Sequence, residues 1–516
     1  MSTSRLHVNR RALIGGVAAA GLGLRFGGQV LAASTHAAEG PADQAGRGSI
    51  AKDTSDLIAE FACGLSYDQL SSRVVLEAKS GLLDTVGCTI GALAEPDVHI
   101  VRNSIASGKS GPCTLVGSNL RASAPDAAML NTDMARVMDY MNSYVGPYGG
   151  GHPSNAVNPI IACSELVGGS GKDVLLSLVV ATEVLGAFAD IVNSREKSGI
   201  EHAGYVAIGI TAGAGKALGL TPVQMKNAVS MTAASYNPLQ VTRSEQLSMW
   251  KGFAAGYGAL MAVHSALLAK NGMIGPTNAF DGRNGWKEVV AREKFELKFT
   301  MGERMHGVLF KLYLAETYAL SAAEAITKLA QQNKIDPQEV ERVDVKSFAG
   351  GMARLGFSGS QDAYNVTSKP EADHSFPYII AVGLIDGQIR KEQYMPERIV
   401  KSDVQSMMRK VHFHADEDFE RRSAGSSRQQ PVAIDVTMKN GTHYKAAQDY
   451  FSGHPEQPLT HDQLVEKFRY LTSEFITVDA QSRLIETIDT FENHRIGDLT
   501  KLLPRVSPLH AVNRSG

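Results

Sequence analysis

The sequence predicts a mainly α-helical protein: a large all-helical domain with an inserted smaller α+β lid domain. Three observations carry that expectation. Apolar residues recur at three- and four-residue steps through most of the chain before residue 305, which is the period of a helix face. Alanine and glycine are plentiful while Phe, Tyr and Trp together make up only 7%, and small side chains let helices pack closely. After residue 305 short β-like runs and turn signals appear, and from residue 460 an amphipathic helix returns. A chain of 516 residues is too long for one ordinary core, so two or more domains are expected. The expected limits are 1–38 for an export signal, 39–52 for a linker, 53–306 for the first part of the helical domain, 307–451 for the lid, and 452–516 for the C-terminal part of the helical domain.

At the start, Arg10 and Arg11 stand directly before a short Ala/Gly-rich apolar run. Ala32, Ala37 and Ala38 offer small-residue cleavage positions. This resembles a twin-arginine export signal and predicts a periplasmic or secreted protein. Beyond the linker, Asp53 or Thr54 caps a helix through Cys63. Residues 67–90 read as one long helix, with Val74, Val75, Ala78, Leu82, Leu83 and Val86 in helical register. Residues 115–118 are a loop, and Pro125 starts the helix that carries Asp139. Pro153 lies near the start of the next helix, which Gly168 and Gly169 end. Helices over 172–193 and 202–218 follow. Thr221 as N-cap and Pro222 at the first helical position open another. Trp250–Lys270 is strongly helical, and Asn271-Gly272 ends it. In the lid, 315–331 and 375–385 read as helices, and 343–348 and 410–414 as strands. Residues 431–438, Asn440-Gly441 and 443–447 form a hairpin pattern. From residue 460, Leu464, Phe468, Leu471 and Phe475 mark the last amphipathic face.

Composition excludes several functions. A formal net charge of -2 gives no electrostatic case for nucleic acid. No apolar run reaches the roughly 18 residues of a transmembrane span, so no stable membrane span is expected once the signal is removed. Cys63, Cys88, Cys113 and Cys163 form no CxxC pair, and buried free thiols are expected. No His/Cys cluster has metal spacing and no iron–sulfur pattern occurs, so no metal is expected.

Chemistry is expected at ARVMDYMNSYVGPYGGGHPSNAVNPIIA, residues 135–162. Two helices flank a loop that holds an acid (Asp139), an amide (Asn142), a hydroxyl (Ser143) and an imidazole (His152) beside the run Gly149, Gly150, Gly151. Catalytic groups are commonly displayed on loops supported at both ends. His202 opens a small-residue helix, where backbone N–H groups and the helix dipole favour an anion. Arg243 and Lys251 in VTRSEQLSMWKGFAAG, and Lys311 in FKLYLAE, suit a carboxylate substrate. They would stabilise the dianion formed when a C–H beside a carboxylate ionises.

The pattern ARVMDYMNSY…HPSNAVNPIIA resembles the core motif of the MmgE/PrpD family. Further matches follow in order: AGYVAIGITAGAGKALGLT after His202, LSMWKGFAAGYGALMAVHSALLAKNGMIGPTNAFDG, LFKLYLAE and ADHSFPYIIAVGLIDG. The resemblance covers residues 50–510. It implies a homodimer with a helical domain and a smaller α+β lid, and a cofactor-free lyase or isomerase for small polycarboxylates. That family includes 2-methylcitrate dehydratases, cis-aconitate decarboxylases and iminodisuccinate epimerases, which share the making and quenching of a carbanion next to a carboxylate. Carried over by position, Asp139 matches the first acid of the D-x-D-D-T motif and Ser143 its threonine. His152 matches the HPS histidine, His202 the second histidine, and Lys311 the lysine opening the lid. Lys251 lies in the basic segment, with Arg243 a rival for that role.

The resemblance thus implies His152, His202, Asp139 and Lys311 as catalytic, with Asp139 orienting His152. It implies Ser143, Arg243, Lys251 and Tyr318 at the substrate, the cations holding carboxylates. The sequence also departs from the family. D-x-D-D-T reads Asp139-Tyr140-Met141-Asn142-Ser143, a GPYGGG insertion precedes His152, and Tyr318 stands where the family commonly has a histidine. Substrate identity is therefore not carried over. The leading expectation is a dehydratase or decarboxylase. An epimerase or isomerase of an imino- or hydroxy-polycarboxylate is the alternative. A non-catalytic periplasmic carboxylate-binding protein is a third reading, to which the missing acids lend weight.

Overall fold

The structure is a computed structural model that describes residues 52–505, apart from 107–109, 194–196, 358–360 and 425–427. The export signal expected at 1–38 and nearly all of the linker lie outside the described residues. Helices dominate. Helix α1 (Thr54–Gly64) starts where Asp53 caps it. The same carboxylate accepts the N–H groups of Phe280 and Asp281, which anchors a distant loop. The single helix expected over 67–90 is two elements. Tyr67–Gln69 form one 3-10 turn, Leu70 is extended, and α2 (Ser72–Gly91) begins where the Ser71 hydroxyl accepts from Val74 N–H. A capping serine competes for the backbone and restarts the helix.

Helix α3 (Pro96–Ala106) and the short pair β1 (Cys113–Thr114) and β2 (Arg121–Ala122) lead to α4 (Ala124–Val137). Ser123 caps α4, and Pro125 sits in its first turn. The helix stops at Val137, two residues short of Asp139, although the sequence pattern predicts Asp139 on it. Strands β3 (Ser143–Val145) and β4 (Gly150–Gly151) follow, then α5 (Val157–Val167) and α6 (Gly171–Ala189). Next come α7 (Ala203–Ala217), α8 (Pro222–Ser235), the single turn α9 (Val241–Ser244) and α10 (Trp250–Lys270). Thr221 caps α8, and Gly272 follows α10 at φ 94°.

The core lies where α4, α6, α7 and α10 pack on one another. Here the small residues act by close approach. A Cβ on Gly209 would stand 2.8 Å from the Ala181 carbonyl oxygen, and one on Gly256 would stand 2.0 Å from Asp133 Oδ1. Among the described residues α10 alone is long and apolar enough to cross a membrane by length and composition. It packs against α4, α7 and α8 and buries Lys251 in its first turn. Cys63, Cys88, Cys113 and Cys163 are free thiols, and burial pushes Cys88 and Cys113 up to about 12.

Strand β5 (Val308–Leu309) joins β3 and β4 in the order β4-β3-β5. The helix expected from residue 315 starts later, as α11 (Leu320–Asn333). The Glu316 carboxylate caps a 3-10 turn over Thr317–Ala319 instead. The second sheet comprises β6 (Val340–Ser347), β7 (Val411–Ala415), β8 (Val432–Met438) and β9 (His443–Gln448) in the order β7-β6-β8-β9. Only β6 and β7 are parallel. Between β6 and β7 lie α12 (Ala349–Met352), α13 (Lys369–Ala372), α14 (Phe376–Asp386), α15 (Pro396–Ile399) and α16 (Ser402–Met408), and α17 (Glu417–Ser423) precedes β8. Val432, Ile434, Val436 and Met438 alternate inward along β8, and α11 packs on β8 and β9 while α14 packs on β7. The Asn440-Gly441 turn has Gly441 at φ 82°.

The chain ends in α18 (His461–Thr472), α19 (Val478–Asp489) and α20 (Ile496–Leu502). Buried Lys467 on α18 donates to Asp84 Oδ1 and to the Tyr140 carbonyl, both at 2.6 Å. That pair ties the last helices to α2 and to the loop after Asp139.

Candidate active site

The site grows from the end of α4. Asp139 takes the left-handed conformation at φ 52°, which few residues other than glycine adopt. Such a residue persists where its surroundings hold it. Lys311 does so: its Nζ donates to the Asp139 carbonyl, to Asp139 Oδ1 and to the Ala315 carbonyl, each at 2.9 Å. Arg136 Nη1 stands 3.3 Å from Asp139 Oδ1, and Lys251 Nζ stands 3.2 Å from Oδ2. Burial alone would raise the Asp139 carboxyl, but Arg136, then Lys311 and Lys251, hold it well below the usual carboxylate range.

Asn142 is used structurally. Its N–H donates to Asp84 Oδ2 at 2.8 Å, and its Oδ1 accepts from Ser154 N–H at 3.0 Å. These bonds fold the loop back on α2. The glycine insertion then runs as the β3–β4 hairpin against α6 and α7. A Cβ on Gly146 would stand 2.3 Å from the Ala189 carbonyl oxygen, and one on Gly149 would stand 2.8 Å from the Tyr205 hydroxyl. Only glycine permits this approach, so the insertion forms a wall of the cavity with exposed Tyr148 at its edge.

At the end of the hairpin, His152 Nδ1 lies 2.8 Å from Ser143 Oγ and 3.3 Å from the Asn142 carbonyl oxygen. Asp139 has no hydrogen bond to His152. Its left-handed turn commits the carboxylate to the cations, so Ser143 is the side chain that orients the ring. Burial, then Arg136 and His202, push the His152 imidazole well below its ordinary value, so it is neutral at pH 7. The His152 and His202 rings meet edge to face, with centroids 5.4 Å apart.

His202 stands at the start of α7, but the helix N-terminus is not open to a ligand. The carboxylate of buried Glu201 accepts the Ala203 N–H at 2.6 Å. It also contacts His202 Nδ1 at 2.7 Å and Arg243 Nε at 2.5 Å. Arg243 is brought there by backbone pairing: Glu201 N–H donates to the Pro238 carbonyl, and Gln240 N–H to the Gly199 carbonyl.

Asp139, Ser143, His152, His202, Arg243 and Tyr318 therefore line one cavity of about 90 Å³. Lys311 and Lys251 do not line it. Lys311 is fully buried with all three ammonium protons taken by protein oxygens, so it holds Asp139 and cannot reach a carboxylate in the cavity. Lys251 is 4% exposed and is spent on Asp373 Oδ1 at 2.7 Å, His374 Nδ1 at 2.8 Å and Asp139. Arg136, Arg354 and His374 line the cavity and were not among the residues expected from the sequence. Arg136 lies within the quoted motif, three residues before Asp139, and a charged residue on an apolar helix was the available signal. His374 lies in ADHSFPY, and Glu201 directly precedes His202. Arg136 is 2% exposed, and its Nε and Nη1 make no hydrogen bond. The Arg354 guanidinium stacks 4.1 Å from the Tyr318 ring centroid.

Oxygens of Asp139 and Asp373 and a nitrogen of His374 lie within 4.8 Å of one another. The Lys251 ammonium sits among them, in the position a metal ion would take. Chemically the site offers two imidazoles with low proton affinity and guanidiniums able to hold carboxylates in one cavity.

The chain matches the MmgE/PrpD N-terminal domain over residues 56–298 and the MmgE/PrpD C-terminal domain over residues 313–493. It is similar to the 2-methylcitrate dehydratase-like protein oryR of Aspergillus oryzae, with 26% identity over 478 residues, covering 87% of this chain and 94% of that one. It is 25% identical over 452 residues to a 2-methylcitrate dehydratase of Salmonella typhi, covering 82% and 91%. It is 24% identical over 486 residues to the cis-aconitate decarboxylase of Homo sapiens, covering 90% and 97%.

Proposed function

The chain belongs to the MmgE/PrpD family, and from that premise we propose that it is a cofactor-independent lyase, a dehydratase or decarboxylase, acting on a small polycarboxylate through a carbanion next to a carboxylate. The names of its relatives support that substrate class. The observation that carries the reading is the meeting of His152 and His202, 5.4 Å apart, on a cavity that also has the Arg136 and Arg243 guanidiniums in its walls. An imidazole takes the proton from the carbon beside a carboxylate. The electron pair moves into that carboxylate, where guanidiniums stabilise the added charge. In a dehydration the pair then forms a C=C bond as hydroxide leaves and is protonated to water. In a decarboxylation the C–CO₂ bond breaks instead, and the carbon takes up a proton.

Incubating the protein with a panel of di- and tricarboxylates in deuterated water, followed by proton NMR, tests the reading. We expect one panel member to lose water or carbon dioxide. If every member is bound and none changes, the protein is a carboxylate-binding protein and the proposal is wrong. The pair of facing imidazoles also suits an epimerase, one ring taking the proton and the other returning it from the opposite side. Exchange and inversion at a stereocentre with no loss of mass identifies that reaction.

Twin-arginine export and a homodimer belong to the same proposal. Exposed Trp250 and Tyr257, 6.0 Å apart on α10, support a subunit contact there. Expressed from residue 1, the protein should appear in the periplasm with a new N-terminus near residue 38 and a light-scattering mass of two chains. Full-length cytoplasmic monomer would refute both.

A further inference from the structure

The proton acceptor of this site is selected by a residue that does not line the cavity. We propose that Glu201 is the positioning residue of the site: its buried carboxylate holds the Nδ1–H of His202 and the Nε–H of Arg243 together, which makes His202 the proton acceptor and sets it beside the carbon next to the carboxylate that Arg243 clamps. This inference rests on the proposed carbanion chemistry.

An ionised carboxylate only accepts. Glu201 is fully buried, and burial alone would raise its carboxyl, but His202 and Arg243 hold it well below the usual range. With His202 Nδ1 at 2.7 Å and Arg243 Nε at 2.5 Å from the same Oε1, both nitrogens must be the donors. The neutral His202 ring therefore carries its proton on Nδ1 and its lone pair on Nε2. His152 Nδ1 instead faces the Ser143 hydroxyl and the Asn142 carbonyl oxygen, both neutral, so no anion stands there to balance a proton gained at Nε2. Of the two imidazoles, only His202 has a buried carboxylate on Nδ1 to balance the imidazolium it becomes. The rest of Glu201 is satisfied by the Ala203 N–H, and its own N–H is bonded to the Pro238 carbonyl, so the carboxylate has no freedom to turn away.

Arg243 is fixed by the same atom. Its Nη2 donates to the Lys251 carbonyl at 3.3 Å, and among the described residues no protein acceptor is given to Nη1. Arg243 lines the cavity beside His202, so a substrate carboxylate held there presents its neighbouring carbon to the imidazole. As the C–H bond breaks, the N–H bond forms at Nε2. The electron pair passes into the carboxylate as an enediolate dianion facing Arg243, and the new imidazolium is balanced by Glu201. Burial, then Arg243 and Arg136, disfavour protonation of His202, while His152 meets it edge to face as a neutral ring. Tyr205 and Tyr236 near Glu201 have hydroxyls pushed up by burial and stay neutral.

The test uses the Glu201→Gln and Glu201→Asp proteins. An anion beside an imidazole favours its protonated form, so removing it lowers the pH at which His202 takes a proton, by about 1–3 units. Imidazole ¹⁵N NMR without substrate should find Nδ1–H in the parent protein and that downward shift in Glu201→Gln. Glu201→Asp, which keeps the charge, should restore the parent value. In turnover, Glu201→Gln should lower kcat by about 10²-fold or more. It should also raise KM and move the acid limb of kcat/KM to lower pH. Loss of the Ala203 cap alone would reduce folded protein without moving that limb. A His202 midpoint and acid limb unchanged in Glu201→Gln would overturn the inference. If the parent protein turns over no panel member, the lyase reading fails, while the NMR shift still decides whether Glu201 sets the state of His202.

Discussion

A His202→Ala protein is expected to fold normally and to lose turnover by about 10²- to 10⁴-fold, the usual contribution of a positioned base. It should also lose exchange of the substrate C–H with deuterium. His202 is 19% exposed on its side chain, and its hydrogen-bond partner Glu201 keeps Arg243 and the Ala203 N–H as partners when the ring is removed. The buried carboxylate is thus not left unpaired, and a large loss of stability is not expected. His152→Ala should behave differently. Its ring bonds Ser143 and the Asn142 carbonyl, and no anion stands at Nδ1 to balance a proton gained by the ring. That protein should lose net turnover while retaining C–H exchange at His202. The measurement is proton NMR in deuterated water on both proteins, with circular dichroism to verify folding. Exchange at the parent rate in His202→Ala, or loss of exchange only in His152→Ala, would reverse the assignment of the base.

The largest stability effect is expected at Asp139. Asp139→Asn should destabilise the protein by about 3–5 kcal/mol, the magnitude seen when one partner is removed from a buried ion pair. Asn tolerates the left-handed conformation nearly as well as Asp, so backbone strain is not the cause. The cause is charge: Lys311 with no exposure, Arg136 with 2% and Lys251 with 4% would face one another without their common anion. The pH dependence carries the sign. Folded Asp139 keeps its charge well below the usual carboxylate range, so the unfolded chain binds a proton that the folded chain does not. Its contribution is complete above about pH 4 and is lost as pH falls further toward the folded value. Burial, Arg136 and His202 depress His152, so that ring adds stability complete above about pH 6.5 and lost as pH falls. Chemical denaturation at pH 7 and pH 3 checks both statements. The parent protein should lose stability between them, and Asp139→Asn should lose less, by about one proton's worth per chain. An Asp139→Asn protein within about 0.5 kcal/mol of the parent at pH 7 would show that the cation cluster is compensated in another way.

Where caps and apolar period coincide, the sequence alone suffices. Thr221-Pro222 opens α8, Trp250–Lys270 forms α10, and Asn440-Gly441 turns the hairpin, each through bonds made within a few residues. The glycine run before His152 was legible as an interruption of helices, and His202 as the start of one. The chemical roles of charged residues were not legible in the same way. Lys311 and Lys251 resemble free cations in sequence, yet each is enclosed by partners far along the chain: Lys311 bonds Asp139 across 172 positions, and Lys251 bonds Asp373 across 122. Arg243 reaches Glu201 across 42 positions because residues 199–201 and 238–240 pair there through two backbone hydrogen bonds.

By itself, then, the sequence determined the helical period, the capped ends, the hairpin and the family motif, since these depend on neighbours within about one or two helical turns. Tertiary structure alone decided that α4 stops before Asp139, that Ser143 and not Asp139 meets His152, and that Arg136, Arg354 and His374 face the cavity while the two lysines do not. The physical reason is that burial and an opposite charge set which protons a side chain holds and which it can offer. Both come from residues that only packing brings together.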